Sequence, residues 1–541
     1  MPITEAVLET ARTHPDRPAI VGEDARLSYA GLVADSRSLA AAVDALHRAQ
    51  PHPPRPAPET AGIPITAVSL TSAFTTARIV AGLAGFRAVS ATIDPRWPLN
   101  HQVGVITATG IGLVISDSPS LAGALAGSGW TGTVVTAAEL AAEQARHRDD
   151  ARYRDDPAHQ DDPGRPDLPA PSVRGPDEAF LMLFSSGTTS DPKAFLKTRE
   201  QYRANVAVSS AHLEPLPGVV TLAPGPVSYS LTLYAVIESL ATGGTIHVAD
   251  EFAPLPLGRR IAEESVTRIV AVPAVVAALA EAADRDPDRF VGLDLVVTGG
   301  ANLPAAIRDR LAEVLPDTRL ISYYGAAEIG FIGDSRDGDG TWIEIYPTIA
   351  AEIRDETGDP VPEGELGTLW ILAAACSDGY LAGTTDAVLR GPDGWASVDD
   401  QGRMVDGRLQ LAGRAGDIAV TGGHKVTLPE VERAFATLPR LGEVVAIALP
   451  DATLGSLIAL VVEEAGVVDD GDPGADKPGA GDHGPEHPDK SALLAHARSH
   501  LAPQFVPRRF YALPRLPRTV GGKIRRAETV DLIVSGEGTR L

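Results

Sequence analysis

Nine consecutive residues, Ser185 to Lys193, read SSGTTSDPK and are suited to holding a chain of phosphates. Two hydroxyl pairs, a glycine and a lysine stand directly after an apolar run, Phe180 to Phe184, that reads as a buried strand. A loop of that make-up offers unpaired backbone N–H groups, side-chain hydroxyls and a cation to one anionic ligand, which is the chemistry a triphosphate needs. It is not the common P-loop, because the GxxxxGK[ST] spacing is absent. Taken alone, a Ser/Thr/Gly loop is more often a plain turn. Its reading therefore rests on the stretches that accompany it downstream.

The elements that must position the loop follow from hydrophobic periodicity. Leu27, Leu32, Leu39, Val43 and Leu46 predict a helix after a short strand, and a proline-rich link, Pro51 to Pro58, follows. Between Ile63 and Ile115, β-branched runs at Thr66 to Leu70, Ala91 to Ile93 and Gly112 to Ser116 alternate with helical patterns around Thr76 to Gly85 and His101 to Thr109. The charged, proline-rich stretch Arg146 to Pro176 is expected to be an exposed connector. After the loop, alternation resumes through Leu315, which predicts a large α/β layer structure with largely parallel sheets. Past Ser322, short strands separated by Gly, Asp and Pro predict a small β-subdomain. From Gly416 onward the pattern predicts a compact α+β unit that ends in a basic tail, and inside it Val467 to Pro488 reads as a flexible surface insertion. The expected domains are 1–415 and 416–541.

Composition excludes several classes of function. A chain of 541 residues with 44% hydrophobic content is globular and too long for one core. A formal charge of −24 argues against nucleic acid as principal partner. The longest apolar segment, Ile269 to Ala283, is shorter than the roughly 20 residues a membrane span requires. One cysteine, Cys376, cannot form an internal disulfide, and no charged-then-apolar leader opens the chain, so a cytoplasmic monomer or homodimer is the expectation.

Four further stretches join the loop. They are ISYYGAAEIG at 321–330, DGWASVDDQGR at 393–403, LAGRAGDIAVTGGHKVTLPEVE at 411–432 and PRTVGGKIRR at 517–526. In that order and spacing the five motifs resemble those of the adenylate-forming superfamily of acyl- and aryl-CoA ligases, peptide-synthetase adenylation domains and luciferases. The resemblance implies ATP-dependent activation of a carboxylic acid as an acyl adenylate, then transfer to the thiol of CoA. It leaves two alternatives open: an enzyme that loads the phosphopantetheine of a carrier protein, and a pseudoenzyme that binds nucleotide or adenylate without turnover.

By this resemblance Ser185, Ser186, Gly187, Thr188, Thr189 and Lys193 cradle the phosphates, with Thr189 among the catalytic residues. Glu328 holds Mg²⁺, a hard ion that takes carboxylate and phosphate oxygens. Gly300, Ala301, Tyr324 and Gly325 line the adenine side, and Asp400 and Arg414 hold the ribose. Lys523 is the catalytic lysine, meeting the charge that develops between carboxylate and α-phosphate. Gly422 and Gly423 line the thiol tunnel, and Gly416 stands at the family's hinge between two half-reactions.

Tyr229, Ser230, Thr298 and Gly299 are the expected acid pocket. The segment Pro224 to Leu233 lacks an Asp to pair with a substrate ammonium, and an unpaired ammonium in a buried pocket is costly. An aryl or medium-sized acyl acid is therefore expected. The chain departs from the family motifs at Ser190 and Ala194, which replace glycine; at Ala327, which replaces threonine; at Val398-Asp399, which replace Thr-Gly; and at Gly416.

Overall fold

The computed structural model describes residues 3–155, 170–185, 192–250, 254–300, 303–336, 342–421, 424–436, 438, 441–451, 454–464, 490–519 and 523–541. They group into two compact units, one drawn from Met1–Gly187, Asp191–Glu352 and Trp370–Val398, the other from Ile353–Leu369 and Asp399–Leu541.

In the first unit, a 6-stranded sheet runs in the order Thr133–Val135, Leu113–Ser116, Ile65–Ser69, Val89–Thr92, Ala179–Ser185, Lys193–Thr198. Every pairing is parallel except the last. Ile65–Ser69 and Val89–Thr92 are buried at every position, so both faces of the sheet are covered, as parallel sheets require. A second sheet places Arg319–Ala326, Leu295–Thr298, Arg268–Ala271, Val220–Ala223, Thr245–Val248 and Pro18–Val21 side by side and parallel. Antiparallel strands Gly330–Ser335 and Arg26–Ser28 flank that parallel block. Separate apolar clusters, one around Ile65, Val114 and Met182 and another around Ile269, Leu279 and Leu311, fill the layers.

The second unit contains the hairpin of Asp400–Val405 and Arg408–Arg414. Its main sheet runs His424–Thr427, Ile418–Thr421, Gly455–Glu463, Arg509–Leu513, Thr539–Arg540, with Val444–Asp451 paired to Gly455–Glu463. Helices Leu428–Phe435 and Lys490–His500 pack one core through Val431, Phe435 and Leu493, and helix Arg526–Ser535 contributes Ile533 to another. The expected α/β class, with large mixed, mostly parallel sheets and a smaller α+β unit, is what the chain adopts.

Some elements differ from expectation. The first part of the stretch expected to be a connector continues a helix, Ala137–Asp155, while 156–169 lie outside the described residues. The basic C-terminal tail is instead an ordered helix, Arg526–Ser535, closed by Gly536 at φ 87°, and it leads to a strand. Strand Lys193–Thr198 escaped pattern reading because two lysines mask its apolar core, Ala194 to Leu196. The helix after it, Arg199–His212, begins with a capping box of Thr198 and Gln201, a signal present in the sequence as T-x-x-Q. The segment expected to be a flexible insertion, Val467 to Pro488, lies outside the described residues.

A buried ion pair crosses the core of the second sheet. Arg268 donates to Glu238 at 2.8 Å, with side chains only 2% and 4% exposed, and Arg268 Nε also donates to the Leu213 carbonyl at 3.0 Å. Removing one partner strands a buried charge, so Glu238→Ala is expected to lower stability by about 3–5 kcal/mol. Urea unfolding of the full chain beside wild type measures this. A loss under about 1 kcal/mol would show that the pair is solvated.

Candidate active site

The loop read as phosphate-binding is set between two buried strands. Ala179–Ser185 ends and Lys193–Thr198 begins at a paired position, Ser185 opposite Lys193, and the inner positions of both strands are buried. Ser186, Gly187, Thr188, Thr189 and Ser190, between them, lie outside the described residues. Ser185 Oγ is buried without a hydrogen-bond partner among the described residues. Lys193 Nζ stands 5.2 Å from the ring centre of Tyr380, close enough for a cation–π contact.

Glu328 sits in the tight turn between Arg319–Ala326 and Gly330–Ser335 and is only 6% exposed. Its backbone carbonyl accepts from Lys197 Nζ at 2.7 Å and from the Ser377 N–H at 2.8 Å. Its carboxylate oxygen Oε1 accepts from the Tyr380 hydroxyl at 3.0 Å, and the preceding carbonyl, of Ala327, accepts from the Tyr234 hydroxyl at 3.0 Å. Among the described residues the carboxylate makes no ion pair. A nearly buried carboxylate served by one neutral donor fits a missing cation. Mg²⁺ suits it, because that ion takes one or two carboxylates and completes its shell with phosphate oxygens and water. Sequence reasoning missed Tyr380 and Lys197. Burial pushes the Lys197 ammonium down to about 8, opposed by nearby Cys376 and Glu328.

Backbone geometry shapes the wall beside Glu328. A Cβ at Gly325 would stand 2.5 Å from the Gly330 carbonyl oxygen, so the strand pair closes only on glycine. Gly300 holds φ +81°, a left-handed conformation that favours glycine. Gly299 lies against Tyr323, where a Cβ would come within 2.4 Å of the ring. Thr298 closes strand Leu295–Thr298 with a buried Oγ1 that has no partner among the described residues. Tyr324 is half-buried in Arg319–Ala326. Ala301 lies outside the described residues.

Tyr229 precedes helix Ser230–Ala241, of which Ser230 is the first residue. The Arg96 guanidinium lies 5.6 Å from the Tyr229 ring centre. Burial, then the Asp94 charge, pushes the Tyr229 hydroxyl above the usual phenol range. Arg96 in turn grips both Asp94 oxygens, at 2.9 and 2.8 Å. Asp94 and Arg96 were not singled out from the sequence. Their signal is a D-P-R turn at the carboxyl end of strand Val89–Thr92, where ligands gather in α/β sheets. Beside Tyr229, Ser228 Oγ is buried and unpartnered among the described residues.

The second unit carries the remaining charged candidates. Asp400 and Arg414 face each other at the open end of their hairpin, Nε to Oδ1 3.3 Å. Asp399, standing where the motif has glycine, adopts φ +64°, so an aspartate holds the backbone that glycine would supply. Asp tolerates this conformation better than most residues, at a cost of about 1 kcal/mol. Lys523 closes a turn in which its N–H donates to Thr519 Oγ1 at 3.1 Å and its carbonyl accepts from the Thr519 N–H at 2.7 Å. The side chain reaches solvent but is crowded by protein. That crowding and the Arg414 cation lower its pKa, and Asp400 opposes them. Asp400, Arg414 and Lys523 therefore share one electrostatic neighbourhood. Gly422 and Gly423 lie outside the described residues, between Thr421 and His424, which pair across adjacent strands.

A layered α/β unit with a hydroxyl-rich loop and a buried carboxylate, and a smaller α+β unit with a lysine near an aspartate and an arginine, are the features of an adenylate-forming family. The family of AMP-binding enzymes matches residues 7–381, and the AMP-binding enzyme C-terminal domain matches residues 430–523. The chain belongs to that family. It is 26% identical over 366 residues to the uncharacterized acyl–CoA ligase YhfT of Bacillus subtilis, covering 66% of this chain and 69% of that protein. It is 32% identical over 300 residues to a salicylyl-CoA synthase / salicylate adenylyltransferase of Streptomyces sp, covering 53% and 54%. The fold matches ATP-bound MatB from Rhodopseudomonas palustris with a TM-score of 0.78 at 20% identity, over 98% of this chain and 99% of that one. The chemistry common to these relatives is acid activation by adenylation.

Proposed function

We propose that this protein activates a small carboxylic acid as its acyl adenylate, with release of pyrophosphate from ATP, and then transfers the acyl group to the thiol of CoA. The observation that carries the reading is the Glu328 carboxylate, nearly buried and without an ion pair among the described residues, joined through Tyr380 to Lys193, where the phosphate-type loop ends. In this reading the loop from Ser185 to Lys193 binds the phosphates, Asp400 and Arg414 orient the ribose, and Tyr324 and Gly325 border the adenine. Glu328 holds Mg²⁺, which offsets phosphate charge as the acid oxygen attacks. Lys523 supplies a point charge to the reacting carboxylate and α-phosphate.

The acid is aryl or medium acyl. Asp94 lies beside Tyr229, yet Arg96 already engages both of its oxygens, so it is not free to hold a substrate ammonium. ATP–pyrophosphate exchange across a panel of carboxylic acids, followed by mass spectrometry of products formed with CoA or with a phosphopantetheinylated carrier protein, tests the reading. An acyl-CoA supports it. Acyl-carrier product without acyl-CoA moves the acceptor to a carrier protein, and no exchange with any acid, despite ATP binding, makes the protein a non-catalytic nucleotide binder.

The two half-reactions need Lys523 and the Gly422–Gly423 turn in succession at one carboxyl carbon, and Gly416 is the proposed swivel. It lies in the short 3₁₀ turn Ala415–Asp417, with no atom within 4 Å of where a Cβ would stand. Proline there fixes φ near −65°. Gly416→Pro is expected to slow only one of the two steps, read by stopped-flow pyrophosphate release and by thioester formation from preformed adenylate. Equal slowing of both, or of neither, removes Gly416 from that role.

A further inference from the structure

Lys197 is an anomaly of the fold. It is the last but one residue of strand Lys193–Thr198, with its side chain turned inward and only 2% exposed, whereas lysines are almost never fully buried unless paired. No carboxylate accepts from its ammonium among the described residues. Instead, Nζ donates to two backbone carbonyls, that of Glu328 at 2.7 Å and that of Ala375 at 2.6 Å. The two acceptors belong to different turns. One carries the buried carboxylate, and the other leads to Ser377, whose N–H donates to the same Glu328 carbonyl, and to Tyr380, whose hydroxyl donates to the Glu328 side chain. Ser377 Oγ also donates to the Leu196 carbonyl at 2.8 Å, which returns the network to the lysine's own strand. That strand starts at Lys193, directly after the phosphate-type loop.

We propose that Lys197 is a positioning residue for the metal carboxylate: its ammonium ties the Glu328 turn to strand Lys193–Thr198, so that the metal ligand is held on the strand that carries Lys193. This rests on the adenylating reading of the site. Charge-assisted hydrogen bonds are about twice as strong as neutral ones, and two of them on one rigid strand fix a turn that carries no regular structure of its own. A partner that orients a metal ligand without touching the metal typically changes metal affinity 10–100-fold when it is lost. An apolar residue of the same length would fill the space and leave both carbonyls without the cation.

The test uses the full-length protein and needs no knowledge of the acid. Mn²⁺ affinity of the protein–ATP complex is measured by electron paramagnetic resonance, and metal-free ATP affinity by equilibrium dialysis in chelator. Lys197→Met is expected to weaken Mn²⁺ binding about tenfold or more while metal-free ATP affinity changes less than about twofold. Lys197→Arg, which keeps a cation able to donate twice, is expected to recover most of the loss. A residue that only supports the fold would lower both affinities together, or neither. Should Lys197→Met not fold, the same pair of measurements on Lys197→Gln decides, because its shorter neutral amide cannot span both carbonyls. Unchanged Mn²⁺ affinity in a folded Met or Gln variant overturns the proposal. Wild-type protein that binds no Mn²⁺ in the presence of ATP overturns the adenylating reading itself, a separate outcome.

Discussion

Lys523→Ala is expected to lose at least about 10²-fold in adenylate formation while ATP affinity stays nearly constant. In the proposed reaction the lysine meets charge that exists only as the acid oxygen joins the α-phosphate, and removing one such preorganised donor costs on the order of 10²–10³ in rate. An interaction made only in the transition state lowers kcat and kcat/KM together and leaves ground-state binding alone. The surroundings support this role. Lys523 shares its neighbourhood with Arg414 and Asp400, and crowding with a second cation lowers its pKa, so its charge is held against opposition and gains from an approaching anion. Pre-steady-state pyrophosphate release from wild type and variant reads the result. An unchanged rate would falsify the assignment.

Glu328→Gln is expected to reduce pyrophosphate exchange by about 10²-fold or more at millimolar Mg²⁺, with part of the loss regained as Mg²⁺ rises. The amide keeps the shape of the side chain and an oxygen for the Tyr380 hydroxyl, which bonds Glu328 at 3.0 Å, so the turn itself should survive. What disappears is the charge. A metal ion offsets several kcal/mol of transition-state charge, and each 1.4 kcal/mol is a decade in rate. Exchange rates across a Mg²⁺ series separate the two cases: a loss that does not respond to metal would place Glu328 in the fold rather than at the metal.

The layered α/β plan and the position of the phosphate-type loop could be read from sequence because they depend on local signals. Apolar runs such as Val220–Ala223 and Arg268–Ala271 alternate with helical periodicity, and Ser185 and Lys193 lie where a buried strand gives way to Gly, Thr and Pro. Resemblance to whole motifs marked Glu328, Asp400, Arg414 and Lys523, since each is near in sequence to the glycines of its own motif.

The partners of those residues were not legible, because they come from distant parts of the chain. Tyr380 reaches Glu328 across 52 positions, and Lys197 reaches it across 131. Nothing in KAFLK announces that its second lysine points inward, since a lysine in a strand ordinarily faces water. Asp399 shows the same limit. It departs from the glycine of the motif, and only the structure gives its backbone as left-handed, at φ +64°. Local sequence marked the groups proposed to bind phosphate, metal and ribose. Tertiary packing alone decided which buried side chains hold them, because that depends on which turns the sheets bring within hydrogen-bond distance.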